Sequence, residues 1–536
     1  MSALGHRLTG DGTKLLLQAP ELESLVRPHA IMRQRTTFLH DADSLFDANQ
    51  LVVTNDSLTV DSITAVREDR LTFSFSELPP EIWAVLKQYH ELHVRWTSTH
   101  PYACIDPLSS RTPPGLHILL TPQTEKPVSS LCPLLMKIFG NELHCGPHEG
   151  SFIKIPLDSG RFASSASTQY FHVLPSLKDF VVYLKEKICP NIGQGCIDQA
   201  SNLLSAQYLD VDFDRISQTF VITSLRDRPE AIPTWTETFR KKSTAHTIEV
   251  GVLANEKPIE PEELSLGGFL TVIGENDHPD PTLFSFPSRH HCDASSFTAE
   301  FPPTIGLHPS LTISFPKSVF PPFTESECAL HAYLTLPSIV FLDQYQFSDP
   351  LYLESKNIVG LKAIYGELDL EAPDWAVEKW GSGALFELAA PPREAAAGDP
   401  WKIEIPTHLR YLTPDSGGLT NIEVPWPVVF WACPAEGGTK MSVNPFDRRN
   451  LGYDGMFGPR TMFYHLTPEV GSGHNPRTTM ALLNIPVMDV DRTTWVESGT
   501  GVILLIGFLT TAWSLLNVFG AKSRRPTETT GQKKRV

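Results

Sequence analysis

Apolar positions along most of this chain come in short runs broken by turn-forming residues, the signature of β-strands rather than of long helices. Between Arg33 and Pro122 the runs are QLVVT, SLTV, RLTFSFSEL, LHVRWTS and LHILLTP. RLTFSFSEL alternates partly with period two, predicting a strand with one buried and one wet face. Thr121–Ser129 is a polar, Pro-punctuated break, and residues 131–230 mix a predicted helix (DFVVYLKEKI) with strands such as QTFVITSL. The helical candidates are Pro80–Lys87, Leu174–Lys187 and a short turn around Ile197–Ser205. Arg226–Pro233 reads as a linker, followed by the β-like stretches HTIEVGVLA and LGGFLTVIG. NDHPDP (276–281) and Phe286–Thr304 read as irregular, which puts a domain boundary near residue 300.

Strand patterning resumes beyond that boundary with LTISF, ALHAYLTL, IVFLDQY, GLKAIYGELDL, ALFELA, WKIEIP, TNIEVP and VVFWAC. A spacing of about 10 residues with Pro or Gly at the joints is that of a β-sandwich. PPREAAAGDP (391–400) has the composition of a mobile hairpin tip. The expected architecture is therefore mainly β, with β-sandwich-like domains and a few short helices. A β-rich region covers 1–230, as one subdomain or two, a β-like connecting region 231–300, and a sandwich domain 301–490.

One stretch departs from all this. Ser498–Gly520 (SGTGVILLIGFLTTAWSLLNVFG) is apolar throughout, with no charge between Glu497 and Lys522. As a helix it would reach about 35 Å, enough to cross a bilayer, whereas a core helix of that length would carry a polar stripe. At 100° per residue Thr500, Gly507, Thr511, Ser514 and Val518 fall near one line, with Thr510 and Asn517 beside it. Such a small, weakly polar stripe lets a partner helix approach closely, and Asn517 could donate a hydrogen bond across the contact. Alternatively, the hydroxyls bond back to their own helix. Val502, Leu505, Leu509 and Leu516 form a lipid-suited opposite side.

The flanks set an orientation. Lys522, Arg524, Arg525, Lys533, Lys534 and Arg535 follow the span, while Asp489, Asp491, Arg492 and Glu497 precede it. An excess of Lys and Arg marks the cytosolic side, so residues 521–536 form a basic cytosolic tail and the large domain faces the opposite compartment. Lys533 and Lys534 in the terminal KKRV resemble a dilysine signal for retrieval to the endoplasmic reticulum. Against this, MSALGHRLTGDGTKLLLQAP lacks an apolar core and cleavage site, so it is not an ordinary secretory signal.

Composition narrows function by exclusion. Over 536 residues the formal net charge is -17, which argues against a nucleic-acid partner. The 45 prolines fit Pro-marked turns between strands. The 8 cysteines are scattered rather than paired as CxxC, so they suit disulfides in an oxidising compartment or buried thiols in a reducing one. Cys189 and Cys196 could close a small loop. Asn55-Asp56-Ser57 is an N-glycosylation sequon in a turn-like stretch.

The search for catalytic chemistry comes up empty. Asp210, Asp212 and Asp214 (DVDFD) would share one strand face, where they could hold a divalent cation with a nucleotide-sugar diphosphate. The plainer account is a solvated strand face with Val211 and Phe213 turned to the core. An EF-hand is ruled out because Arg215 stands where glycine is needed and Val221 where glutamate is needed. HCGPH (144–148) and RHHC (289–292) offer donor atoms but lack a matching second half for zinc, so surface or loop histidines are expected. There is no HExxH, GxSxG, P-loop or dinucleotide fingerprint, and GSG at 381–383 and 471–473 reads as loop. No catalytic residue, metal or cofactor is expected.

Several ordered blocks carry a resemblance. LHPSLTISF (307–315), CALHAYLTLPSIVFLDQYQF (328–347), IPTHLRYLTP (405–414), VPWPVVFWAC (424–433) and the terminal helix resemble the PIG-X family. Its fungal members are named for a protease-B-nonderepressible phenotype, and NPFDRRNLGYDGMFGPRTMFYHL (444–466) is similar to the filamentous-fungal form. The resemblance implies a noncatalytic partner that stabilises a multi-pass PIG-M type mannosyltransferase and, in fungi, is also needed for folding or stability of some other proteins of the endoplasmic reticulum. That enzyme adds the first mannose to glycosylphosphatidylinositol (GPI) precursors in the lumen of the endoplasmic reticulum. It also implies a lumenal body on one C-terminal helix, which settles the orientation in favour of the basic tail, and a disulfide between Cys328 and Cys433. The remaining alternatives are a general lumenal folding factor and a metal-dependent glycosyltransferase built on the three aspartates.

Overall fold

The computed structural model describes residues 33–41, 46–123, 130–146, 149–157, 166–191, 193–228, 234–241, 246–258, 260, 262–303, 306–315, 319–322, 327–391, 400–437, 439, 441, 444–470 and 478–522. The chain is mainly strand, with a few short helices and one C-terminal apolar helix.

Eleven strands build the first sheet, in the order Asp280–Pro287, Glu263–Val272, Thr247–Glu256, Arg33–His40, Val66–Ser74, Thr219–Arg226, Tyr208–Asp214, Tyr89–Thr97, Gly115–Pro122, Thr168–His172 and Ile153–Lys154. Arg33–His40 pairs in parallel with Thr247–Glu256 and antiparallel with Val66–Ser74. The segment 231–300 thus supplies three strands to this sheet, while Trp235–Arg240 pairs with Ser57–Ile63 in a small side sheet.

Short helices cover one face of the first sheet. Pro80–Leu86 starts with proline in its first turn, where the missing N–H is not needed. Leu131–Phe139, which the sequence reading passed over, presents Leu131, Leu134 and Leu135 at helical spacing. Lys178–Tyr183 runs on through a wider turn at Leu184–Ile188, and Gln194–Asn202 follows. Their apolar sides, with Phe139 and Phe180 stacked at 5.3 Å, meet Leu92, Val94, Val211, Phe213 and Ile222 from the strands.

Eight strands build the second sheet, in the order Ile358–Gly366, Gly381–Leu388, Ala329–Pro337, Val428–Pro434, Thr461–Pro468, His290–Glu300, Ser310–Phe315 and Trp401–Pro406. His290–Glu300 lies where an irregular segment is expected from the sequence, because its polar Ser, Asp and His residues mask the alternation. Its first half pairs with Thr461–Pro468 and its end with Ser310–Phe315, with a register break between Cys292 and Ser296. Gly381–Gly383 is likewise strand and not loop: a Cβ at Gly383 would stand 2.3 Å from the Tyr365 ring, so the glycine lets that ring lie flat.

Alternation on Ala329–Pro337 divides two cores. Leu330, Ala332, Leu334 and Leu336 face the interior of the second unit with Ile313, Ile403 and Ile485. Tyr333 faces the other way and meets Leu119 and Ile153 of the first sheet alongside Phe430 and Phe463. The two sheets therefore share a buried seam.

Candidate functional site

Into that seam runs the segment from Asn444 to Phe457. Arg448 sends Nε and Nη2 to the two oxygens of Asp210 at 2.6 and 2.8 Å, and Nη1 to the Ser110 carbonyl at 2.8 Å. Its guanidinium also lies 3.9 Å from the Tyr208 ring centroid. Arg95 donates from Nη2 to Asp212 and to the Arg449 carbonyl, both at 2.6 Å. Asn450 adopts φ 57° with its backbone N–H on Asp454, and Gly452 at φ +95° leaves room for the Tyr333 hydroxyl, which a Cβ would meet at 2.7 Å.

These contacts answer the question posed by DVDFD. Val211 and Phe213 enter the helix-side core as the bland account expects. The opposite face is solvated only in part: Asp210 is buried against Arg448, and Asp212, partly exposed, is tied to Arg95 and His93. Asp214 instead caps the following turn at the amides of Ile216 and Ser217. Burial would raise the pKa of Asp212, but the Arg95 charge and the His93 hydrogen bond outweigh it and hold the carboxyl well below the usual range. With guanidinium groups occupying two of the three carboxylates, the face is organised as a joint and not as a cation site. Among the described residues no group of three or more His, Cys, Asp or Glu is placed to hold a metal.

The RHHC histidines are a correction. His290 and His291 are strand residues buried in the seam, not surface or loop residues. His290 Nδ1 lies 2.9 Å from His465 Nε2, and His291 stacks on Tyr464 with ring centroids 4.7 Å apart. Burial pushes both His290 and His465 well below the ordinary histidine pKa, so the pair is neutral. Asp447, facing His290 Nε2 at 3.7 Å, is pushed up to about 6 by its own burial. In HCGPH, His144 is exposed, Cys145 is bonded to Cys132, and His148 lies outside the described residues.

All eight cysteines pair: Cys104–Cys292, Cys132–Cys145, Cys189–Cys196 and Cys328–Cys433. Cys104–Cys292 ties a loop after a first-sheet strand to the seam strand of the second. The Cys328–Cys433 pairing implied by the family resemblance is present, with Cα atoms 4.3 Å apart across adjacent strands. Asn55 is exposed in the turn joining Leu51–Val53 to Ser57–Ile63, where Thr54 Oγ1 lies 2.7 Å from Ser57 Oγ.

The C-terminal helix runs Thr493–Lys522. Thr500, Gly507, Thr511, Ser514 and Asn517 all lie on it and all are exposed. The hydroxyls of Thr510 and Thr511 donate to the Gly507 carbonyl at 2.9 and 2.8 Å, the self-bonded arrangement weighed against a helix–helix contact. Lys533 and Lys534 lie outside the described residues.

The molecule is thus a β-rich, disulfide-bonded body followed by one helix of the length and composition of a membrane span, the only such helix among the described residues. Sequence comparison places it more narrowly. Residues 304–516 match the profile of the family described as PIG-X / PBN1. "Protein pbn1" of Emericella nidulans is 44% identical, over 92% of this chain and 98% of that protein. "Protein pbn1" of Neurospora crassa is 41% identical over 92% and 96%, and "Protein PBN1" of Saccharomyces cerevisiae is 31% identical over 41% and 44%. The chain belongs to the PIG-X / PBN1 family. Among solved structures, the Fcho1 Mu homology domain of Danio rerio with bound Eps15 peptide aligns over 84% of this chain and 95% of that one. The TM-score is 0.12 at 8% identity, too low to define a shared fold.

Proposed function

We propose that this protein is a noncatalytic, stabilising subunit of the endoplasmic reticulum mannosyltransferase that adds the first mannose to GPI-anchor precursors. The observation that carries the reading is family membership over nearly the whole chain. The state of the chemistry-bearing residues supports it, since the most suggestive carboxylates, Asp210 and Asp212, are spent on Arg448 and Arg95. The partner is a PIG-M type multi-pass catalytic subunit, engaged in part through Thr500, Gly507, Thr511, Ser514 and Asn517. The body lies in the lumen and the basic tail, with the retrieval lysines Lys533 and Lys534, in the cytosol. Four disulfides suit the oxidising lumen.

Depletion of the protein followed by quantitative proteomics and labelling of GPI precursors tests this reading. The expected outcome is loss of the catalytic subunit and accumulation of unmannosylated precursor. Intact first-step mannosylation would overturn it. Loss of many unrelated lumenal proteins, with the transferase intact, would favour the general folding factor instead.

A further inference from the structure

The base of the body is hydrogen-bonded to the segment that leads into the terminal helix. Leu419–Pro425 and Met480–Pro486 form a two-stranded ribbon that pairs Leu419 with Pro486 at the anchor end. From there the chain does not swing free. Asp415 N–H donates to the Met488 carbonyl, Val487 N–H to Gly418, and Val490 N–H to the Asp415 carbonyl, at 3.1 to 3.2 Å. A single turn at Val490–Arg492 follows, capped by Asp489 at the Asp491 amide, and the helix begins at Thr493.

Alongside exposed polar residues such as Asn421, Glu423 and Asn484, several outward residues of this base are apolar. Leu419 is 61% exposed, Met488 40%, Val490 48% and Trp495 83%, and Pro486 is exposed beside them. On the inward side of the ribbon, Val424, Ala481, Leu483 and Ile485 fill the second core. The apolar outer residues are thus additional to the core and, Leu482 apart, lie at the ribbon end nearest the helix.

Helix geometry sets the depth of this cluster. Charge-free sequence starts after Glu497, so Thr493–Glu497 lies outside the hydrocarbon and rises about 7.5 Å. The headgroup layer on each side of a bilayer is about 5–8 Å thick. The start of the helix therefore falls near the outer margin of the headgroups, and the bonds between Asp415, Gly418 and residues 487–490 hold the ribbon end next to that margin. Trp495 falls within it, where an indole is well placed.

We propose that Leu419, Pro486, Met488, Val490 and Trp495 form a membrane-contact surface that seats the body on the bilayer and fixes its tilt. The occupant is a neutral, zwitterionic lipid surface. Asp415, Asp489, Asp491 and Glu497 around the contact outnumber Arg492 and would repel anionic headgroups. Seating orients the body above the plane in which a membrane-embedded partner works, without requiring any contact by the stripe on the helix. The proposal rests on the helix being a membrane span.

The test uses full-length protein in phosphatidylcholine nanodiscs, with an environment-sensitive fluorophore on L419C, M488C or W495C. Each is measured with and without lipid carrying a headgroup nitroxide. Emission at all three positions is expected to shift to the blue and to fall at least twofold with nitroxide. Quenching at position 495 with none at 419 and 488 would overturn the proposal while leaving the span intact. No quenching at any position would overturn the span as well, and with it the seating. A fourth measurement, exchanging a third of the lipid for phosphatidylserine, is expected to weaken quenching at 419 and 488. Stronger quenching there would overturn the assignment to a neutral surface.

Discussion

Arg448 ties the segment 444–457 to the first sheet through bonds to Asp210 and the Ser110 carbonyl and through the face of the Tyr208 ring. Its guanidinium is fully buried with Asp210, and the attraction of that carboxylate, outweighing the cost of burial, raises its pKa further above the ordinary arginine value. Removing one member of a buried pair strands the other charge, at about 3–5 kcal/mol. Arg448→Ala is expected to destabilise by that order in chemical denaturation. The double variant Arg448→Met with Asp210→Leu should recover a large part of it, because an apolar pair leaves no stranded charge. Lysine at 448 cannot make the bidentate contact and should fall between.

Histidines set the pH dependence at the same scale. His40 and His117 are held near 4 by burial, and His290 and His465 lie well below their ordinary value. Unfolding releases these rings to titrate near 6.5, so between about 4 and 6.5 the unfolded state binds the extra protons. Stability should therefore fall as pH drops through that window. Asp447, raised to about 6, and His93, raised by Asp212 and Glu91 against its burial, pull the other way. Glu68 and Asp106, raised by burial, join them, but His172, His291, His331 and His408 are also lowered by burial, so the lowered rings outnumber the opposing groups. Melting temperature measured from pH 7.5 to 5 should decline, and His117→Gln should flatten the slope.

At the scale of elements, the patterns that read well were those whose period matched their surroundings. The helices Pro80–Leu86 and Lys178–Tyr183, and strands such as Ser310–Phe315 and Trp401–Pro406, face an apolar core on one side. The elements passed over, Leu131–Phe139 and His290–Glu300, break that match. The helix is apolar over most of its surface and carries Pro133, and the strand carries polar residues with partners distant in sequence, such as His465 for His290 and Glu469 for Ser296. The terminal helix reads clearly because its composition alone defines it. Gly507→Leu and Ser514→Leu are expected to reduce co-purification with the mannosyltransferase several-fold while insertion stays intact, as measured by carbonate extraction. Unchanged co-purification would leave Thr510 and Thr511 with only their bonds to Gly507.

For the whole molecule, the two sheets act as one body because the seam combines apolar contact, the Arg448–Asp210 pair, the bond from Arg95 to the Arg449 carbonyl and the Cys104–Cys292 bridge. Its placement in the cell has a direct readout at Asn55, exposed on a turn remote in sequence from the anchor. A glycan removable by endoglycosidase H is expected there, lost in Asn55→Gln. In sealed microsomes the body should resist added protease while the basic tail does not.

What the sequence determined by itself is what depends on local pattern: strand-rich architecture, a terminal apolar span and the family blocks. These rest on periodicity, length and residue order, which are properties of neighbouring positions. What only the tertiary structure decided is the fate of the polar residues. Asp210 and Arg448 stand 238 positions apart, and His290 and His465 175. The same carboxylate is a cation ligand, a solvated face or a buried joint according to which distant group the fold brings to it. That choice is made by long-range packing, on which local pattern is silent.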